Sequence, residues 1–138
     1  MDRRDDSIAL LLAAGFERLR PKALCSSEVI QTTRDADSDR YAVTEARSCG
    51  ATTGVATVVR VGRASQAQDA AQDVFVADDG GSRSGPRGTI WTNMVWTDPG
   101  HLLIARASLA RVFKQLAASH GATISYRATD PFTLPPVP

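Results

Sequence analysis

Four side chains carry the thiols and imidazoles on which nucleophilic and metal chemistry most often draw: Cys25, Cys49, His101 and His120. Cys49, with His101 or His120 as its base, has the residue types of a small thiol-dependent hydrolase. No sequence pattern puts a histidine or an orienting carboxylate beside that cysteine. The same four residues have the donor atoms of a zinc site, but structural zinc ligands usually arrive as closely spaced pairs, and these are scattered. His101 falls at a predicted strand start and His120 at a predicted helix end, where a cation suits the dipole. Two cysteines are also compatible with one disulfide, a minor metal contribution or two unrelated thiols. No catalytic residue, cofactor or metal ligand is assigned on this basis.

The carboxylates and glycines give equally little. Asp35, Asp37 and Asp39 open like a calcium loop, yet Arg40 stands where glycine is needed and Ala46 where the bidentate glutamate is needed. A solvated acidic turn is the expectation. Gly80, Gly81, Gly85 and Gly88, with Arg83 and Arg87, have the composition of an anion cradle. No Lys-Ser/Thr pair follows and no helix begins there, so the phosphate-loop pattern fails. That segment reads as a hairpin loop whose arginines are open to a partner. Pro135-Pro136-Val137-Pro138 fits a polyproline ligand formally but reads as a frayed end.

Bulk properties exclude more than they identify. The 138 residues are 43% hydrophobic and 22% charged, within the globular range, and suffice for one core. Net charge is +1, and the arginines are spread along the chain without aromatic interleaving. That argues against a nucleic-acid groove or an anionic membrane surface as partner. The apolar run Ile8 to Phe16 has the length of an export-signal core, but acids precede it and no cleavage site follows. It is far shorter than the ~20 residues of a membrane span. A short packed helix over residues 7 to 19 is expected, capped by Ser7 and stopped by Pro21.

From residue 28 the chain reads as short strands. Residues 28 to 33 and 40 to 46 flank the acidic turn as a hairpin, with Tyr41 and Val43 on one side of the second strand. Residues 55 to 61 make a Val/Thr-rich inner strand, and a polar stretch then leads to a short strand over 73 to 77. Residues 90 to 97 and 101 to 106 form a second hairpin around Asp98-Pro99-Gly100. Trp91 and Trp96 sit at odd spacing and therefore on opposite faces of that strand, so one of them stands outside the main core. Leu109, Val112, Phe113 and Leu116 fall at helical spacing after Ser108, and Gly121 follows, which predicts a helix over 109 to 119. A last strand covers 122 to 127.

Between two of these strands lies Cys49-Gly50-Ala51-Thr52-Thr53-Gly54, whose glycines and threonines suit a tight, self-bonded turn. This run, with Thr57 and Val59 after it, resembles a motif in a family of small uncharacterised bacterial proteins, a domain of unknown function. The similarity extends over roughly residues 25 to 127. It takes in Cys25 ahead of Glu28-Val29, the strand Asp73 to Asp78, Val95-Trp96, Leu102 to Ile104 and Arg111-Val112-Phe113. The resemblance implies that Cys25 and Cys49 belong together and that the domain faces the cell exterior. A disulfide between them would contribute roughly 3.5 kcal/mol by loop entropy.

The expected fold is α+β and β-rich: a mostly antiparallel sheet with an N-terminal helix and one later helix packed against it. Residues 1–24 form a helical segment or degenerate export signal, 25–128 a single β-rich domain and 129–138 a Pro-rich tail. The expected role is a non-catalytic cell-envelope or accessory domain, extracytoplasmic if the disulfide exists and cytoplasmic otherwise. It binds a protein partner through its sheet face or through Arg83, Arg87, Trp91 and Trp96. The alternatives are the thiol hydrolase and an accessory subunit of a larger assembly. No nucleic acid, cofactor or membrane span is expected.

Overall fold

Alternation of side chains builds the described part of the molecule. The strand β2 (Arg40–Ser48) buries Ala42, Thr44 and Ala46 and turns Tyr41, Val43, Glu45 and Arg47 to the other face. The computed structural model describes residues 25–50, 54–80 and 88–130. Besides β2 they form β1 (Ser26–Arg34), β3 (Val55–Arg63), β4 (Gln72–Asp78), β5 (Thr92–Asp98) and β6 (His101–Arg106). They continue with β7 (Arg111–Gln115), β8 (Ala118–Ser119) and β9 (Ala122–Ala128). The polar stretch between β3 and β4 holds one 3-10 turn, Gln68–Ala70.

Two sheets result. One is antiparallel with the order β1-β2-β3-β4-β7; the other is β5-β6-β9-β8, in which β6 and β9 run parallel. Their inner faces share one core. Val59, Val61, Val74 and Phe75 of the first sheet meet Met94, Leu102, Ile104 and Ile124 of the second. Phe75, Leu102 and Ile104 are fully buried, each contributing about 1.5–3 kcal/mol of transfer free energy. Two polar contacts also link the sheets within this core. Thr57 Oγ1 accepts the Ile90 amide at 2.9 Å, and Thr44 Oγ1 lies 3.2 Å from Met94 Sδ.

Among the described residues the α+β expectation is therefore corrected to a β-sandwich, and the later helix does not form. Residues 111–119 are instead β7 and β8, one stretch of chain that leaves the first sheet and joins the second. The Leu116 amide donates to Val74 O at 2.8 Å, while Ala117 O accepts the Ile124 amide at 2.9 Å. A helix here would leave the edges of β4 and β9 without these partners, a larger loss than helix propensity returns. Half of the supposed helix face proves to be surface: Leu109 is 84% and Phe113 61% exposed. Phe113 is the extra residue of a bulge, since Val76 pairs with Lys114 and Ala77 with Val112. Ser108, the expected helix cap, donates from its amide and hydroxyl to Asp130. The expected N-terminal helix, the Arg83 and Arg87 loop and the Pro-rich end from residue 131 lie outside the described residues. Among the described residues no helix is long and apolar enough to cross a membrane.

The two ends of the sandwich are closed differently. At one end, Cys25 and Cys49 form a disulfide one residue beyond the Ser26–Ser48 pair. It staples edge strand β1 to β2 where the hairpin opens. At the other end the acidic turn is a clamp and not a solvated loop. Asp35 is 4% exposed, and its carboxylate accepts the Gly100 amide at 2.9 Å, Ser38 Oγ at 3.0 Å and the Asp37 amide at 3.3 Å. Arg40 stands 3.5 Å away and donates through Nε to His120 O at 3.0 Å, which ties the β1–β2, β5–β6 and β8–β9 turns together. Gly121 has φ +80°, and a Cβ there would lie 2.9 Å from the Arg40 guanidinium, so this close approach requires glycine. Asp39 holds Arg63 at 2.5 Å and both the amide and the hydroxyl of Ser65.

Two outcomes follow from these closures. Replacing both cysteines by serine is expected to lower unfolding free energy by about 3.5 kcal/mol while leaving the near-UV spectrum of the sandwich intact. Denaturant titration checks it, and unchanged stability would contradict it. The acid response follows from the clamps. Hydrogen bonds from Ser65 and Arg63 outweigh desolvation and hold the Asp39 carboxyl down at about 2. Burial pushes Asp35 up, but the Gly100 and Asp37 amides, Ser38 and Arg40 outweigh it. The unfolded chain thus binds these protons more tightly, so stability is whole above about pH 4 and drains as pH falls toward 2. Melting curves across that range should show the loss, and Asp39→Asn, less stable at neutral pH, should converge on the wild type near pH 2.

Candidate functional site: a groove on the outer sheet face

The residues singled out by type do not assemble into a reactive site. Cys49 is bonded to Cys25, so it presents no thiolate. Both histidines lie at the opposite end of β2, whose nine residues span about 25 Å. His101 Nε2 is 2.8 Å from Ser125 Oγ. His120 Nε2 faces Ala70 O at 3.1 Å, and its Nδ1 lies 2.9 Å from Ser119 Oγ, whose own proton goes to Gln72 Oε1. Ser119 is 5% exposed and also meets Gln72 Oε1, so this serine–histidine contact fastens the β8–β9 turn to the start of β4. Among the described residues no cluster of His, Cys, Asp or Glu is arranged to hold a metal ion.

Trp91 and Trp96 both pack, half-buried, against the core. The alternation expected between them fails because β5 begins only at Thr92, so Trp91 precedes the strand. Its carbonyl accepts the Ala107 amide at 2.9 Å, and Trp96 Nε1 reaches Thr33 O at 3.4 Å, which leans β1 onto β5.

A concave feature with ligand-like dimensions lies elsewhere, on the outer face of the five-stranded sheet. It is a groove of about 470 Å³. Its floor is made by cross-strand neighbours of β1 and β2: Arg34 opposite Tyr41, Thr32 opposite Val43 and Val29 opposite Glu45. From Tyr41 to Glu45 the floor runs about 13 Å, the reach of four extended residues. Tyr41 is also in register with Gly62 of β3. A Cβ on Gly62 would lie 2.8 Å from Tyr41 Oη and 2.9 Å from Ala71 Cβ, so its absence lets the ring lie across the strand.

An overhang borders the groove, built from the β3–β4 connection and carrying Ala64, Gln66, Gln68 and Ala71. It is pinned at both ends. Ala64 N donates to Asp39 O at 2.7 Å, and Arg60 Nη2 donates to Ala71 O at 2.9 Å. Beside the groove the outward charges form a ladder. Arg47 binds Asp73 at 2.9 Å and 3.4 Å and stands 3.7 Å from Glu45, while Arg60 Nε lies 3.0 Å from Asp73. Burial pushes the Asp73 carboxyl up, but the Arg47 bonds and the Arg47, Arg60 and Lys114 charges more than reverse this and hold it below its ordinary range. Asp73 therefore stays ionised and keeps both arginines in place.

A second crevice of about 470 Å³ lies between the β1–β2 and β5–β6 turns, with Asp35, Asp98 and Pro99 in its wall. Asp35 is already occupied by four donors there, which leaves it no capacity for a ligand. Comparison of the chain with protein-family models, curated proteins and solved structures gives no match.

Arg34, Tyr41, Val43, Glu45 and Arg60 carry no motif in the sequence that marks them as site residues. The alternation of Tyr41 and Val43 was visible, but period two does not say which face of a strand looks outward. The overhang was visible only as a polar, Ala-rich stretch.

Proposed function

We propose that this chain is a non-catalytic binding domain, accessory to the cell envelope, which docks an extended segment of a partner protein along the outer face of its five-stranded sheet. The observation that carries this reading is the pinned groove. Its floor offers Val29, Tyr41 and Val43 as apolar surface. Thr32 in the floor and Gln66 and Gln68 on the overhang have side-chain donors and acceptors suited to a peptide backbone. The overhang is already held by Asp39 and Arg60, so binding costs little ordering of the protein. The Cys25–Cys49 disulfide supports an oxidising compartment.

The test is selection of random dodecapeptides displayed on phage, followed by titration of the selected peptides against the wild type and Val43→Arg. Val43 is half-exposed on the outer face, so the arginine fills the groove without entering the core. Selected peptides are expected to lose about tenfold or more in affinity on Val43→Arg, equivalent to about 1.4 kcal/mol. Peptides that bind both proteins equally would place binding away from the groove.

A further inference from the structure

We infer that the groove selects segments carrying an acidic side chain, which Arg34 receives. This rests on the binding reading above and names the chemistry of its partner. Three charged side chains line the groove: Arg34, Glu45 and Arg60. Two are already compensated within the protein. Arg60 lies 3.0 Å from Asp73 and donates to Ala71 O, and Glu45 faces Arg47 at 3.7 Å. Among the described residues no ion pair or side-chain hydrogen bond engages the Arg34 guanidinium, and the residue is exposed. The groove thus presents one uncompensated positive charge.

Arg34 is in register with Tyr41 at the end of the floor, and both residues line the groove. A guanidinium has a fixed fork of donors that matches a carboxylate bidentately. An extended segment with its apolar residue over Tyr41 and Val43 would bring a neighbouring Asp or Glu to this fork. A basic residue there would meet like charge. The ion-pair ladder keeps Arg60 and Arg47 from competing for the carboxylate.

Dodecapeptide selection run in parallel on the wild type and Arg34→Gln tests this. The wild-type pool is expected to be enriched in Asp or Glu beside an aliphatic or aromatic residue, and the Arg34→Gln pool is not. The best wild-type peptide is then synthesised with its acid and with the corresponding amide. Replacing the acid, or Arg34, should weaken binding about tenfold, and doing both should cost little more than either alone. A wild-type pool without acidic preference, or an amide peptide that loses equally on both proteins, overturns the acidic selection and leaves the groove reading standing. Peptides that bind Val43→Arg as well as the wild type remove both.

Discussion

Val74 is the extra residue of a bulge in β4, because Val59 pairs with Phe75 and Arg60 with Asp73. The rest of the sandwich is arranged around the carbonyl that this bulge releases. Val74 O accepts the Leu116 amide at 2.8 Å and lies 3.1 Å from Tyr126 Oη, which also reaches Leu116 O at 2.7 Å. One oxygen and one phenol therefore join β4, the crossing chain and β9. Burial pushes the Tyr126 phenol up to about 12, so it stays a hydrogen-bond donor at any physiological pH. Its ring meets Phe75 at 5.7 Å between centroids, adding an aromatic contact to the same junction. Because a single chain crosses here from sheet to sheet, this side of the sandwich is closed covalently. The opposite side needs only β1 leaning on β5.

That closure determines what each face does. With the inner faces committed to one core, the outer face of the five-stranded sheet carries the groove floor of Val29, Tyr41 and Val43, the ion-pair ladder beside it and the overhang. The overhang folds back over it because Asp39 and Arg63 hold its start and Arg60 holds its end. The same aspartate thus contributes to the end clamp and to the groove wall. Stability and the shape of the groove share residues, and the groove is positioned by strands, not by a free loop.

The β-strands were legible because their alternation is local. Arg40 to Ala46 and His101 to Arg106 can be read without knowing anything beyond them, and the turn residues between strands mark where they reverse. Residues 109–119 were misread because Leu109, Val112, Phe113 and Leu116 satisfy helical spacing by coincidence. What decides their conformation is pairing with β4 and β9, distant partners that no local window contains. Asp35 shows the same limit. An acidic turn looks solvated until Gly100 and Arg40, brought in from other turns, surround its carboxylate. The groove was hidden for a related reason, since it depends on which face of β2 the second sheet covers.

The central claim is that residues 111–119 cross between the sheets as strand, anchored at Val74. Backbone carbon chemical shifts of residues 109–119, with amide proximity contacts from Leu116, test it most directly. Extended shifts over 111–115 and 118–119, with the Leu116 amide close to Val74, are the result this account predicts. Helical shifts continuing from 109 to 119, with sequential amide contacts in place of the contact to Val74, would contradict it.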